Sequence, residues 1–335
     1  MGKLDRMMDP ARFQGAGRRY PYFEGWYFKV VDASEQHRYA IIPGIYLGPT
    51  PEASHCFVQF MDGMSGQVDY FRYQVDAFQP AEDRFDVRVG PNRFQADALT
   101  LALDGPERTV EGELRLTGLQ PWPVTRLSPG AMGWYAWVPF MECYHGIVSM
   151  DHSIQGALHV DGAEVDLSGG RGYTEKDWGR RFPRAWVWFQ SKHFDAEPVS
   201  LSVSIALIPW LGRTFRGFII GVWHAGTLYR FTTYTGARIE RLAVDDAMVR
   251  LTVADRAHRI ELEIDRDEPG QLYAPDIDDM SGRVGETMRA TARLRLSERG
   301  RQQGASHGIL YEGAARLGSL EVVGDMSLLT TDQES

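Results

Sequence analysis

The stretch Val199-Ser-Leu-Ser-Val-Ser-Ile-Ala-Leu207 decides the fold class, because a large aliphatic side chain occupies every second position. Successive side chains of a β-strand point to opposite faces, so this period of two gathers the aliphatic residues on one face. The same alternation recurs in Val110–Leu116, His258–Ile264 and Ala290–Leu296. The pattern predicts strands that each cover one side of a core.

Turn-forming pairs separate the strand-like segments. Asp161-Gly162 and Ala225-Gly226 are typical of tight hairpins, and no long segment shows the 3.6-residue period of a helix. We therefore predict an all-β chain of antiparallel barrels or strongly curved sheets, with very little helix. A chain of 335 residues is too long for one barrel, so we expect two domains, residues 1–182 and 183–335.

The charge balance limits the classes of partner. A formal net charge of −9 disfavours binding to nucleic acid, which requires a basic face. It also disfavours strong docking on anionic lipid, although a small basic patch would suffice for transient contact with a membrane surface. The sequence has no apolar run of about 18 residues and no secretory signal at its start, so we expect a cytoplasmic protein.

Three segments carry a resemblance to a known family. They are Phe23-Glu-Gly-Trp-Tyr-Phe-Lys29, then Gly172-Tyr-Thr-Glu-Lys-Asp-Trp-Gly179 with the following Phe182-Pro-Arg-Ala-Trp-Val-Trp-Phe-Gln190, and Ala314-Ala-Arg-Leu-Gly-Ser-Leu-Glu-Val-Val-Gly324. In order and spacing these segments resemble the tocopherol cyclase-like family, and the likeness covers nearly the whole chain.

The resemblance implies both a fold and a reaction. The fold is a pair of lipocalin-like barrels, shared more distantly with the carotenoid 1,2-hydratases. The reaction is the proton-initiated closure of a prenylated quinol to a chromanol, without metal or organic cofactor. The implied partner is a small hydrophobic ligand of the isoprenoid type.

Such a reaction begins with protonation of an unactivated alkene, which requires a carboxyl group that stays neutral near neutral pH. Desolvation in an apolar cavity keeps a carboxyl group in that form. Glu24 suits the role, because in a strand from Tyr22 to Val30 it shares a face with aromatic side chains. Glu175 and Asp177 are two positions apart, so they share a strand face and are the other candidate acids.

Other residues are expected to line the cavity. Aromatic faces stabilise a carbocation, and polar groups orient the attacking hydroxyl. Trp186, Trp188 and Gln190 alternate along one predicted strand face, and Glu142 and His145 lie where the resemblance implies an acidic and aromatic segment. The expected substrate-binding residues are Trp26, Tyr27, Glu142, His145, Tyr173, Lys176, Trp178, Trp186, Trp188 and Gln190.

Each of these assignments has a structural alternative. Glu24 is equally well explained as one half of a buried ion pair, Glu175 and Asp177 as a solvated turn, and the tryptophans as core filling. The spacing of His and Cys residues matches no zinc or iron signature, so no metal site is expected. Two other functions stay open: a hydratase, in which water captures the cation, and a non-catalytic isoprenoid carrier.

Overall fold

A computed structural model describes residues 6–195, 198–276, 279–299 and 308–330. The all-β prediction is confirmed, because the described chain is built of strands with a few short 3-10 turns. These turns are Val75–Ala77, Gly133–Trp137, Thr233–Thr235 and Met326–Leu328. Among the described residues, no helix is long and apolar enough to cross a membrane.

The first large sheet comes from the first half of the chain. The strands in this half are β1 (Tyr22–Val31), β2 (Arg38–Leu47), β3 (His55–Asp62), β4 (Val68–Tyr73), β5 (Phe78–Pro80), β6 (Asp86–Val89), β7 (Asn92–Gln95), β8 (Ala98–Asp104), β9 (Thr109–Thr117), β10 (Val124–Thr125), β11 (Ser128–Pro129), β12 (Cys143–Val160), β13 (Ala163–Asp166) and β14 (Arg171–Gly179). Their order in the sheet is β4-β3-β2-β1-β14-β12-β9-β8-β7-β6-β5, with β13 beside β12, while β10 and β11 pair only with each other among the described residues.

The first sheet is strongly curved around its own core. One cluster of buried side chains contains Phe71 from β4 and Phe78 from β5, although these strands lie at opposite ends of the hydrogen-bonded order. The interior is filled with aromatic rings: Trp26 stacks on Phe85 with centroids 5.2 Å apart, and Phe28 lies 6.1 Å from Phe94. Side chains that alternate with Trp26 and Phe28 along β1 therefore point away from this core.

The second sheet comes from the second half of the chain. Its strands are β15 (Trp186–Ser191), β16 (His193–Phe194), β17 (Val199–Trp210), β18 (Arg213–His224), β19 (Thr227–Thr232), β20 (Arg238–Val244), β21 (Met248–Ala254), β22 (His258–Asp265), β23 (Gly270–Ala274), β24 (Gly282–Glu298) and β25 (Ile309–Val323). Their order is β19-β18-β17-β15-β25-β24-β22-β21-β20, with β16 beside β25 and β23 beside β24. The aliphatic side chains of Val199–Leu207 lie in its core, as the alternation predicts.

The chain divides into two compact units. The first contains the residues up to Phe182 together with Gly270–Val284, and the second contains Pro183–Pro269 and the residues from Gly285 onward. The sequence placed residues 270–284 in the second domain, whereas the structure packs them with the first unit. Two hydrogen bonds contribute to this packing: Gln59 Nε2 donates to Tyr273 O at 2.9 Å, and Tyr273 N donates to Gln59 Oε1 at 2.7 Å.

Candidate active site

Three neighbouring strands of the first unit bring two of the three predicted acids, Glu175 and Asp177, together with His145. In the antiparallel register, Glu175 of β14 lies opposite Tyr27 of β1 and Ile147 of β12. Asp177 lies opposite Gly25 and His145. Directly opposed residues in a sheet share a face, so these side chains lie on the side that points away from the Trp26 core.

Glu175 is a buried carboxyl group with a fixed neighbour on its own strand. It is 5% exposed, and the Tyr173 hydroxyl donates a hydrogen bond to its Oε2 at 2.6 Å. The Nε2 atom of His145 lies 3.7 Å from the same oxygen. Removal from water favours the protonated form of this carboxyl group, whereas the hydrogen bond donated by Tyr173 favours its charged form.

Asp177 and His145 form the outer part of the same cluster. His145 Nδ1 lies 3.0 Å from Asp177 Oδ1, and the Asp177 side chain is 26% exposed. If Nδ1 carries the ring proton and donates it to Asp177, the Nε2 lone pair faces Glu175. Burial raises the pKa of the neighbouring Cys143 thiol well above its usual range, and the charge of Asp177 adds to this, so Cys143 is a neutral thiol.

His145, Glu175 and Asp177 each offer a donor atom, and these atoms lie within 4.8 Å of one another. Imidazole and carboxylate ligands of this kind are able to hold a divalent ion. The distance between His145 Nδ1 and Asp177 Oδ1 is, however, that of a direct hydrogen bond. These two atoms therefore bind each other and not a metal ion.

An aromatic cluster lies on the same face as the acids. Phe23 is two positions from Gly25 on β1, and it belongs to a buried cluster with Tyr46, Phe57 and Met280. The ring of Phe57 stacks on Tyr70 with centroids 5.1 Å apart. Residue-pattern reasoning missed this cluster, because its members come from separated strands and alternate with core residues.

Gly25 is a second feature that the sequence reasoning passed over. An added Cβ at this position meets Pro43 O at 3.5 Å, an ordinary van der Waals contact, so a clash with the surrounding chain does not account for the glycine. Glycine in a strand interior weakens the strand and often marks a close approach by a ligand or another backbone. It lies directly opposite Asp177 in the sheet, so no side chain from β1 stands beside Asp177 at this position.

Glu24 lies on the opposite face, where it forms a buried ion pair. Lys176 Nζ lies 2.6 Å from Glu24 Oε1, and both side chains are fully buried. The carboxylate also accepts hydrogen bonds from Gln14 N at 2.8 Å and from the Tyr22 hydroxyl. A carboxylate with a cation and these donors around it is stabilised in its charged form, the opposite of what alkene protonation requires.

Lys176 secures the amino-terminal segment to the sheet. Its ammonium group donates to the backbone oxygens of Pro10 and Arg12 and lies 4.8 Å from the Trp26 ring and 4.6 Å from the Trp178 ring. Burial lowers its pKa, and the charge of Glu24 opposes that shift. Lys176, Trp26 and Trp178 therefore lie on the core side of the sheet and not with Glu175.

The remaining predicted residues lie elsewhere. Glu142 forms an ion pair with Arg181. Trp186, Trp188 and Gln190 belong to β15 of the second unit, on the face opposite its core residues Val187 and Phe189. Trp186 Nε1 donates to Glu321 Oε2 at 2.6 Å. Gln190 is fully buried, and its amide has no hydrogen-bond partner among the described residues.

The described chain is thus all-β, with two large antiparallel sheets, and its first sheet carries a buried carboxyl group that accepts a hydrogen bond from a phenol beside an imidazole. A family model described as tocopherol cyclase-like matches residues 95–324. The chain belongs to the tocopherol cyclase-like family, as the sequence resemblance indicated.

Two plant proteins are similar in sequence. A probable chloroplastic tocopherol cyclase of Oryza sativa subsp. japonica is 29% identical over 209 residues, which cover 60% of this chain and 44% of that protein. A chloroplastic tocopherol cyclase of Zea mays is 28% identical over 200 residues, which cover 57% of this chain and 41% of that protein. The matched region therefore spans less than half the length of these relatives.

Solved structures share the fold. The crystal structure of CghA with Sch210972 has a TM-score of 0.52 and 14% identity, covering 91% of this chain and 89% of that one. Kievitone hydratase from Nectria haematococca has a TM-score of 0.50 and 12% identity, covering 90% and 89%. At these identities the likeness concerns the fold alone.

Proposed function

We propose that this protein is an acid-initiated cyclase that closes a prenylated quinol, or a related isoprenoid, to a ring. The observation that carries the proposal is Glu175: a carboxyl group 5% exposed, bonded to the Tyr173 hydroxyl and 3.7 Å from His145 Nε2. Membership of the tocopherol cyclase-like family supports the reaction class. The proposed ligand is a small hydrophobic molecule of the isoprenoid type. The predicted location of the protein is the cytoplasm.

The proposed reaction moves one proton in a closed cycle. Glu175 gives its proton to the alkene carbon that leaves a tertiary cation, and Glu175 becomes a carboxylate. The phenolic oxygen of the substrate then attacks the cation, which forms a C–O bond and releases the phenolic proton. His145 Nε2 accepts that proton and returns it to Glu175, while Asp177 stabilises the protonated imidazole. The product is an isomer of the substrate.

The environment of the cluster suits a cation intermediate. Aromatic rings stabilise positive charge through their faces, and Tyr27 lies directly across the strand pair from Glu175. Desolvation strengthens the electrostatic interactions of the site and excludes competing water. In the proposed complex, the reacting end of the substrate lies beside Asp177 at Gly25, where β1 carries no side chain.

The experiment is incubation of the purified protein with a prenylated hydroquinone, followed by mass and absorbance measurement of the product. An unchanged mass with the absorbance of a chroman supports the cyclase. A gain of one water identifies a hydratase, in which water takes the place of the phenolic oxygen. Tight binding without turnover identifies a carrier and contradicts the proposal.

The decisive variant is Glu175→Gln, which removes the acidic proton and preserves the shape of the side chain. We expect turnover to fall by at least about 100-fold, the lower range for a lost general acid, with the melting temperature nearly unchanged. The matched control is Glu312→Gln on β25, which removes a 62% exposed carboxyl group of the second unit and leaves turnover at the wild-type rate. Gly25→Val places a β-branched side chain opposite Asp177 and is expected to weaken substrate binding.

A further inference from the structure

Large apolar side chains are exposed together on one segment of the first unit. Of ten such side chains exposed in the described part of the chain, five lie within seventeen residues of sequence. Leu127 is 86% exposed and Phe140 is 54% exposed. We call these five residues the apolar cap: Val124, Leu127, Trp134, Trp137 and Phe140. Exposed apolar clusters rimmed by polar residues mark surfaces that bind a partner.

The apolar cap is held in place by the surrounding structure. It spans the β10–β11 pair and the 3-10 turn Gly133–Trp137. Trp137 Nε1 donates to Arg126 O at 3.2 Å, and the Tyr144 hydroxyl donates to Val138 O. The buried Trp122 precedes the segment and is 1% exposed. The exposed rings therefore belong to a structured surface.

The charge around the cap is opposite to that of the whole chain. Residues 10–23 and 114–141 contain no Asp or Glu, although the chain carries a net charge of −9. Exposed Arg18 and Arg19 belong to the first of these segments, and exposed Arg126 belongs to the second. Anionic surfaces attract such a local group of arginines.

The two acid-free segments meet in space. A pocket of about 370 Å³ is lined by Arg6 and Arg18 on one side and by Trp137 and Pro139 on the other. Trp137 of the apolar cap and Arg18 therefore line the same pocket. Trp178 also lines this pocket, and it lies on the face of β14 opposite Glu175.

We propose that the apolar cap and its arginines dock on a lipid bilayer that contains anionic lipid. Tryptophan prefers the headgroup region of a bilayer, because its indole ring is largely apolar but carries a polar N–H group. Each arginine near an anionic membrane surface adds about 1 kcal/mol, or about fivefold in binding. A second copy of this chain is disfavoured as the partner, because it presents the same positive surface. Docking would give access to an isoprenoid substrate in the bilayer, but the binding itself does not rest on the proposed reaction.

The test is sedimentation of the full chain with vesicles of phosphatidylcholine, with and without phosphatidylglycerol. We expect clear binding to the mixed vesicles and weaker binding to the neutral ones. Leu127→Ser with Phe140→Ser is expected to lower partitioning by about tenfold on both vesicle types. Arg18→Glu with Arg126→Glu is expected to lower it by at least about tenfold on the mixed vesicles alone.

Matched controls lie on the second unit. Leu211→Ser and Arg238→Glu change an exposed apolar residue and an exposed arginine there, and both are expected to bind as the wild type does. The proposal is overturned if the wild-type protein does not bind the mixed vesicles. It is also overturned if the cap variants bind them as tightly as the wild type does. A dimer that buries the cap, seen by sedimentation velocity, overturns it as well. Because no substrate is present, failure of the cyclase proposal leaves this result unaffected.

Discussion

Glu24 and Glu175 show how the surroundings give two buried carboxyl groups different properties. Glu24 faces the core, with Lys176 Nζ at 2.6 Å and the Gln14 amide at 2.8 Å. Glu175 faces the other way, beside a phenol and an imidazole. The first arrangement stabilises a negative charge and ties the amino-terminal segment to β1. The second places a buried carboxyl group beside a phenol and an imidazole, and the proposed proton transfer rests on this arrangement.

Loss of the Glu24 charge is expected to destabilise the protein strongly. Glu24→Gln leaves the Lys176 ammonium buried without its carboxylate, and breaking one half of a buried pair costs about 3–5 kcal/mol. Urea unfolding measures the loss. As a control, Glu164→Gln on β13 changes a 66% exposed side chain and is expected to shift the free energy by no more than about 0.5 kcal/mol. Equal stability of the two variants would show that the pair is not needed for folding.

His55 is expected to make the first unit sensitive to mild acid. Its Nδ1 lies 2.8 Å from Ala53 O and its Nε2 lies 2.6 Å from the Tyr70 hydroxyl, an arrangement that suits the neutral ring. Burial lowers the pKa of His55 below 6.5, and the nearby charge of Arg72 adds to this. The unfolded state therefore binds a proton first as pH falls below about 6.5, and stability is lost from there down to the folded-state pKa.

The comparison of His55→Gln with wild type isolates this effect. We expect a smaller loss of unfolding free energy between pH 7 and pH 5 in the variant, as measured by urea unfolding at each pH. His159→Gln changes a 45% exposed ring and is expected to keep the wild-type dependence on pH. An unchanged pH dependence in His55→Gln contradicts the assignment.

Two hairpins of the second sheet carry backbone strain at their tips. Leu211 has φ +47° before Gly212, and Ala225 has φ +48° before Gly226. Side chains other than Asn, Asp and Gly disfavour this left-handed region, at a cost of about 1–2 kcal/mol per residue. Leu211→Asn and Ala225→Asn are therefore expected to stabilise the protein by up to about 1 kcal/mol each, as measured by urea unfolding.

The opposite change at the same hairpin serves as the control. Ala225→Val places a β-branched residue in the left-handed region and is expected to destabilise the protein. Both residues are exposed, so lost packing does not obscure the result. Equal effects of Asn and Val at residue 225 would contradict the turn geometry.

At the scale of strands, the sequence predicted the fold better than the site. Val199–Leu207 alternates cleanly because only one of its faces is aliphatic, and those residues do lie in the core. In β1 nearly every residue is buried, on both faces, so its pattern does not say which face carries Glu24 into the core. Pairing of Asp177 with His145 depends on the register between β14 and β12, which no local pattern reveals.

At the scale of the whole molecule, some features depend on contacts between distant parts of the chain. Residues 270–284 pack with the first unit, and one of the contacts involved is that of a side-chain amide on β3 with the backbone of Tyr273. The net charge of −9 does not reveal that residues 10–23 and 114–141 lack acidic side chains, or that both segments line one pocket. Composition gives only the average charge of the chain. The packing of residues 270–284 and the meeting of the two acid-free segments depend on the folded structure.

The central claim is that a buried carboxyl group delivers a proton to a carbon–carbon double bond. The most direct measurement is turnover of a prenylated hydroquinone in D₂O, with mass spectrometry of the product. We predict one carbon-bound deuterium in each product molecule made by the wild-type protein, and no product above background with Glu175→Gln. A ring product without carbon-bound deuterium, or normal turnover by Glu175→Gln, would contradict the account.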